Sequence, residues 1–155
     1  MWQFATSRGD TAAAAFSSEL SRDSCEEQRT VSVPPTILLV DDDLDLREAA
    51  AEALEDAGYK VIRADDGRRA LDEMTHGLRP DLILLDMMMP NLDGWGFRVA
   101  QKQMPDIARI PVVALTAYAL TDDERNQLDA AAILRKPVAL EDLMRAVDDV
   151  ARPTA

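Results

Sequence analysis

Cysteine, histidine, positive charge and long apolar runs are all in short supply in this chain. The only cysteine, Cys25, has no partner for an internal disulfide. Lys and Arg number 17 against 29 Asp and Glu, a formal charge of −12, which disfavours a phosphate backbone or an anionic membrane surface as partner. No apolar stretch approaches the roughly 20 residues needed to span a bilayer. The N-terminus has no basic segment followed by an apolar core, so no secretory signal is visible. Together these absences point to a soluble, reduced, cytoplasmic protein without direct nucleic-acid binding. What is present suffices for one domain of ordinary size, because 155 residues that are 47% apolar can bury a real core.

Residues 1–34 are rich in Ser, Thr, Ala and charges, lack a sustained period and run into Pro34 and Pro35, which forbid a continuing helix. They read as a flexible tail. Its segment AAAAFSSEL, residues 12–20, is a plain extension before it is a partner-gripping helix. Residues 35–153 are expected to form one domain. There, short apolar runs (ILLV, KVIRA, LILLD, VVALT, AILRK) alternate with amphipathic segments, five times over. Consecutive apolar positions suit parallel strands covered on both faces. Leu46, Ala50, Ala53, Leu54 and Ala57, and again Leu140, Leu143, Val147, Val150 and Ala151, recur at helical spacing. Gly58 and Gly77 stand at helix ends, and Pro80 and Pro111 precede the third and fourth runs. The expected fold is α/β: a doubly wound five-stranded parallel sheet with five helices, in the flavodoxin-like order 2-1-3-4-5.

Each polar residue that interrupts this pattern sits at the carboxyl end of a strand. Asp41, Asp42 and Asp43 follow the first run, Asp86 ends the third, Thr116 ends the fourth, and Lys136 follows the fifth just before Pro137. In open parallel sheets that edge binds ligands where the strand order reverses, and here it brings the first and third strands together. The acids would then face one another. Carboxylates about 4 Å apart repel by about 4 kcal/mol at an effective dielectric near 20, which a hard divalent cation such as magnesium removes. Asp86 is left as a carboxylate nucleophile toward phosphorus, with Thr116 and Lys136 supplying a hydroxyl and an ammonium for the other phosphoryl oxygens.

The motifs ILLVDDD, DLILLDMMMPNLDGW, ALTA and RKP resemble those of the receiver domain of bacterial two-component response regulators, of the single-domain, chemotaxis type. The resemblance implies that Asp41 and Asp42 are the metal-binding acids, Asp86 the phosphoacceptor, Thr116 the switch hydroxyl and Lys136 the partner lysine. It also implies that Met88 lends a backbone carbonyl to a magnesium ion. The implied protein takes phosphate from a histidine kinase or histidine phosphotransfer protein. It hydrolyses that phosphate slowly rather than as a turnover enzyme, and signals by binding a downstream protein. With the chain ending at Ala155 directly after the last helix, no attached output domain is expected. Two departures affect the output face: Ile133 stands where the family usually has Tyr or Phe, and DAAAIL lacks the glycine that normally ends the fourth helix.

Other residues have plainer readings. Asp45 with Glu48 makes a D-x-x-E capping box, which leaves Asp43 and Asp45 out of the metal site. The run Met87–Met89 is core and loop filler, not a copper site. His76 is expected to be exposed, so the phosphodonor histidine belongs to another protein, and Trp95 and Phe97 are expected to anchor the third helix. Two other functions remain open. One is a haloacid-dehalogenase-type phosphatase using Asp41 and Asp43, for which the pair Asp148–Asp149 would have to lie at a strand end. The other is a receiver-like scaffold that takes no phosphate.

Overall fold

The computed structural model describes residues 33–152. The expected tail lies outside the described residues apart from Val33 and Pro34, as does its 12–20 segment. Five strands form one parallel sheet: β1 Thr36–Val40, β2 Lys60–Ala64, β3 Leu82–Asp86, β4 Val112–Thr116 and β5 Ala132–Arg135, in the order β2-β1-β3-β4-β5. The helices between and after them are α1 Leu44–Asp56, α2 Gly67–Thr75, α3 Gly94–Lys102, α4 Asp122–Leu128 and α5 Leu140–Ala151. This is the expected doubly wound fold. Among the described residues no helix is long and apolar enough to cross a membrane.

The consecutive apolar positions of the strands divide between two cores because successive side chains point to opposite faces. Ile37, Leu39, Leu82, Leu84, Val113 and Leu115 pack with Ala51, Leu54, Leu143 and Val147 of α1 and α5. Leu38, Val40, Ile83, Leu85 and Ala114 pack with Ala70, Met74, Phe97 and Leu128 of α2, α3 and α4. Every residue of β3 and β4 is buried, as the sheet interior requires. Phe97 is fully buried and Trp95 packs partly against the same cluster, so both anchor α3. Gly58 and Gly77 follow α1 and α2 with φ of 99° and 110°, left-handed conformations that a side chain resists.

Two local expectations need correction. The N-cap of α1 is Asp43, two residues before the DLRE box: its Oδ1 accepts from the backbone N–H groups of Asp45 and Leu46 at 3.1 and 3.3 Å. The backbone already turns helical at Leu44, so Asp45 falls inside the first turn, where its charge meets the positive helix end. Leu46 and Leu140 are half-exposed although they share the helical spacing of the buried stripe. Both lie in first turns, level with the strand ends, where the sheet offers no more side chains to cover them.

A buried polar cluster replaces the missing glycine at the end of α4. Asp129 caps that helix with φ 51° and ψ 47°. Arg98 of α3, only 6% exposed, donates from Nε to the Leu128 carbonyl at 2.9 Å and from a terminal nitrogen to the Asp129 carbonyl at 2.6 Å. Its other terminal nitrogen donates to Gln101 Oε1 at 2.7 Å, and Gln101 Nε2 donates in turn to the Ile107 and Ile110 carbonyls. A guanidinium suits this place because the last carbonyls of a helix lack intrahelical partners and carry its negative dipole end.

Candidate functional site

The strand register delivers the site. Val40 pairs with Leu85, so the residues that follow β1 lie beside the end of β3, at the point where connections leave in opposite directions. Asp41, Asp42 and Asp86 each place a carboxylate oxygen within 4.8 Å of the others. Asp41 and Asp86 are each 3% exposed, whereas Asp42 faces solvent. Lys136, whose peptide bond to Pro137 is cis, sets its Nζ 3.3 Å from Asp86 Oδ2 and 3.5 Å from Asp41 Oδ2. Asp86 Oδ1 accepts from the Met88 N–H at 3.1 Å, and Asp41 Oδ1 from the Asp43 N–H at 2.9 Å.

Burial pushes the Asp86 carboxyl up to about 6, and the neighbouring Asp41 charge pushes in the same direction. The Met88 N–H and Lys136 pull the other way and do not offset it. Three carboxylates face one ammonium, so the group carries an excess of two negative charges. That is a donor set for a hard dication: oxygens only, close enough to meet on one ion, since ligands on opposite sides of magnesium lie about 4 Å apart.

Thr116 is 2% exposed and ends β4 as expected, but its hydroxyl is engaged elsewhere. It donates to the Tyr118 carbonyl at 2.9 Å and accepts from the Tyr118 N–H at 3.3 Å, closing the turn that leads to the Thr121 cap of α4. Met88 is 57% exposed and Tyr118 41%, and the backbone of each is hydrogen-bonded to a site residue, Met88 to Asp86 and Tyr118 to Thr116. Met87 is buried and Met89 half-buried against the core, the filler role expected of that run. An apolar cavity of about 550 Å³ adjoins Lys136, walled by Leu46, Ala50, Leu115, Pro137 and Leu140. His76 is exposed at the end of α2.

The geometry does not assemble a dehalogenase-type site. Asp43 spends its carboxylate on the cap of α1, and Asp148 and Asp149 lie within α5, where Asp148 accepts from the Tyr59 hydroxyl. Sequence reasoning also overlooked Arg47, which reaches back from α1 to the Asp41 carbonyl at 2.8 Å. Its available signal was a lone cation among five acids between residues 41 and 48.

Residues 37–148 match the response regulator receiver domain, and the chain belongs to that family. The response regulator MprA of Mycolicibacterium vanbaalenii is 40% identical over 124 residues, covering 79% of this chain and 52% of that protein. The DNA-binding dual master transcriptional regulator RpaA of Synechocystis is 38% identical over 124 residues, covering 77% and 50%. The chain thus spans about half the length of these curated relatives. Among solved structures, chemotaxis protein CheY4 of Vibrio cholerae is similar with a TM-score of 0.69 at 30% identity, covering 76% of this chain and 98% of that one. The receiver domain of a sensor histidine kinase from Pseudomonas aeruginosa, with a magnesium ion coordinated in its active-site cleft, has a TM-score of 0.67 at 31% identity and covers 76% and 98%. The chain is thus a response regulator receiver domain, a family whose members generally accept a phosphoryl group and are not turnover enzymes.

Proposed function

We propose that Asp86 is the phosphoacceptor, and that the domain takes its phosphoryl group from a histidine kinase or histidine phosphotransfer protein. An Asp86 carboxylate oxygen attacks phosphorus, the donor's phosphorus–nitrogen bond breaks, and the electron pair leaves with the imidazole. Lys136 stays beside the transferred group as the counter-charge to its oxygens. Thr116 exchanges its bond to the Tyr118 carbonyl for one to a phosphoryl oxygen, which loosens the turn before α4 and passes the event to that helix. Asp41, Asp42, Asp86 and the Met88 carbonyl would hold magnesium, which supplies neutralisation of the charge on the incoming group.

The observation that carries this reading is the single ammonium shared by two buried carboxylates, Lys136 between Asp86 and Asp41, at the carboxyl edge of the sheet. The apolar cavity beside Lys136 supports a protein donor, since it presents Leu46 and Leu140 alongside Asp41 and Lys136. The extent of the match to the Vibrio chemotaxis protein, 98% of that chain, supports signalling by partner binding. The mycobacterial and cyanobacterial relatives, about twice as long, favour a second reading in which the receiver governs a further domain. With a charge of −12, this chain itself is not assigned a nucleic-acid contact.

Incubation with acetyl phosphate or phosphoramidate and magnesium should add one phosphoryl group by intact mass, and peptide mapping should place it on Asp86. Asp86→Asn should take none. Undiminished labelling of that variant would overturn the assignment, and a wild type that stays unlabelled would favour the scaffold reading. A phosphotransfer screen against purified histidine kinases identifies the donor.

A further inference from the structure

Arg47 is an anomaly where it stands. It is the fourth residue of α1, near the positive end of the helix dipole, where a cation is the wrong charge for helix stability. Its side chain is 13% exposed, and its Nε has no hydrogen-bond partner among the described residues. The Glu48 carboxylate is 3.8 Å from Nε, beyond hydrogen-bond reach. A largely covered guanidinium whose Nε is left without a partner on an unfavourable helix turn needs an offsetting role.

We infer that Arg47 is a positioning residue for the metal-binding acid Asp41, an inference that rests on the magnesium-dependent reading above. Helical side chains lean toward the N-terminus, so Arg47 reaches back over the turn between β1 and α1 and donates to the Asp41 carbonyl at 2.8 Å. The Asp41 N–H donates to the Ala64 carbonyl at 3.2 Å, and Asp41 Oδ1 accepts from the Asp43 N–H. With backbone N–H, backbone carbonyl and Oδ1 all held, the carboxylate has one orientation, and Oδ2 is presented toward Lys136 and the Asp86 carboxylate. Without Arg47 the backbone carbonyl is released, and Asp41 can turn with it. Asp42 is exposed and makes no such web, so the precision of the site on the β1 side depends on Asp41.

Charge and positioning predict opposite signs, which makes the inference testable. Removing a cation beside an acidic metal site should strengthen magnesium binding if Arg47 acts only through its field. Loss of an outer-shell partner that orients a ligand should weaken it, by about tenfold or more. Magnesium is titrated into the full chain and into Arg47→Met and Arg47→Lys, with binding read by calorimetry and melting temperature read in EDTA. Arg63→Gln serves as a charge control, since Arg63 pairs with Glu48 and Glu55 on the outer side of α1.

The expected result is a magnesium dissociation constant raised about tenfold in Arg47→Met and largely recovered in Arg47→Lys, whose ammonium can still reach the carbonyl. Arg63→Gln should be unchanged or slightly tighter. Acetyl-phosphate labelling of Arg47→Met should need more magnesium but reach the wild-type rate at saturation. Unchanged or tighter magnesium binding by Arg47→Met, with or without a lower melting temperature, overturns the inference while leaving the site reading intact. A wild type that binds no magnesium overturns both, and if Arg47→Met does not fold, Arg47→Gln is titrated in its place, a dissociation constant equal to or below that of wild type overturning the inference.

Discussion

Replacing Asp86 with asparagine should make the magnesium-free protein more stable at neutral pH. The folded state raises this carboxyl from 3.8 to about 6, chiefly by burial and then by the charge of Asp41. A folded-state value above the unfolded one means that the protonated acid contributes stability below about pH 4 and that this contribution is lost as pH rises through about 6. Two pKa units correspond to about 3 kcal/mol carried by the ionised side chain at pH 7.5. Asparagine is neutral and nearly isosteric, and its carbonyl oxygen can still accept from the Met88 N–H. The raised value already contains the opposing pull of Lys136, and asparagine, itself polar and buried, recovers only part of the cost, so the net gain should be about 1–3 kcal/mol, or roughly 5–10 °C in melting temperature. Thermal unfolding in EDTA at pH 7.5 and pH 4 measures it, with exposed Asp149→Asn as the control. The advantage should vanish at pH 4, where the wild-type acid is neutral, and shrink at pH 7.5 when magnesium is added, because the ion stabilises the wild type preferentially. Equal or lower stability of Asp86→Asn at pH 7.5 in EDTA would refute the electrostatic account of the site.

Four further outcomes are expected. Arg98→Met should cost about 2–4 kcal/mol, because it strips the final carbonyls of α4 and the Gln101 oxygen of their buried donor; denaturant unfolding measures this, and a loss under about 1 kcal/mol would contradict it. Met88→Asn or Tyr118→Ala should speed loss of phosphate by about tenfold, since a thioether holds an attacking water poorly and the half-exposed tyrosine ring can cover the phosphoryl group. The decay of phosphorylated protein in magnesium buffer tests that, and equal lifetimes in all three proteins would rule it out. On adding beryllofluoride, NMR shifts should cluster in residues 116–124, because partly buried Ile133 has no ring to rotate; changes centred on Ile133 with a silent 116–124 segment would oppose the Thr116–Tyr118 route. Deleting residues 1–34 should move the melting temperature by less than about 5 °C, because their composition cannot repay ordering entropy with buried apolar surface.

The short-range features of this protein were legible in the sequence because their causes are local. Consecutive apolar residues in ILLV and LILLD mark strands with both faces covered, Gly58 and Gly77 mark turns that demand positive φ, and parallel connectivity obliges the strand-end residues Asp41, Asp86, Thr116 and Lys136 to gather on one edge. Tertiary structure alone decided what those residues do to one another. The pKa of Asp86 depends on burial and on the place of the Asp41 charge, and the engagement of Thr116 with Tyr118 depends on the course of one turn. Whether Asp43 or Asp45 caps α1 rests on where the backbone first becomes helical, which two candidate caps two residues apart leave open. The half-exposure of Leu46 and Leu140 follows from where the sheet stops, a boundary that helical periodicity does not register. Arg98 bonds carbonyls 30 and 31 residues away and so has no local sequence signal; only packing of α3 against α4 brings the donor to the helix end that lacks its glycine.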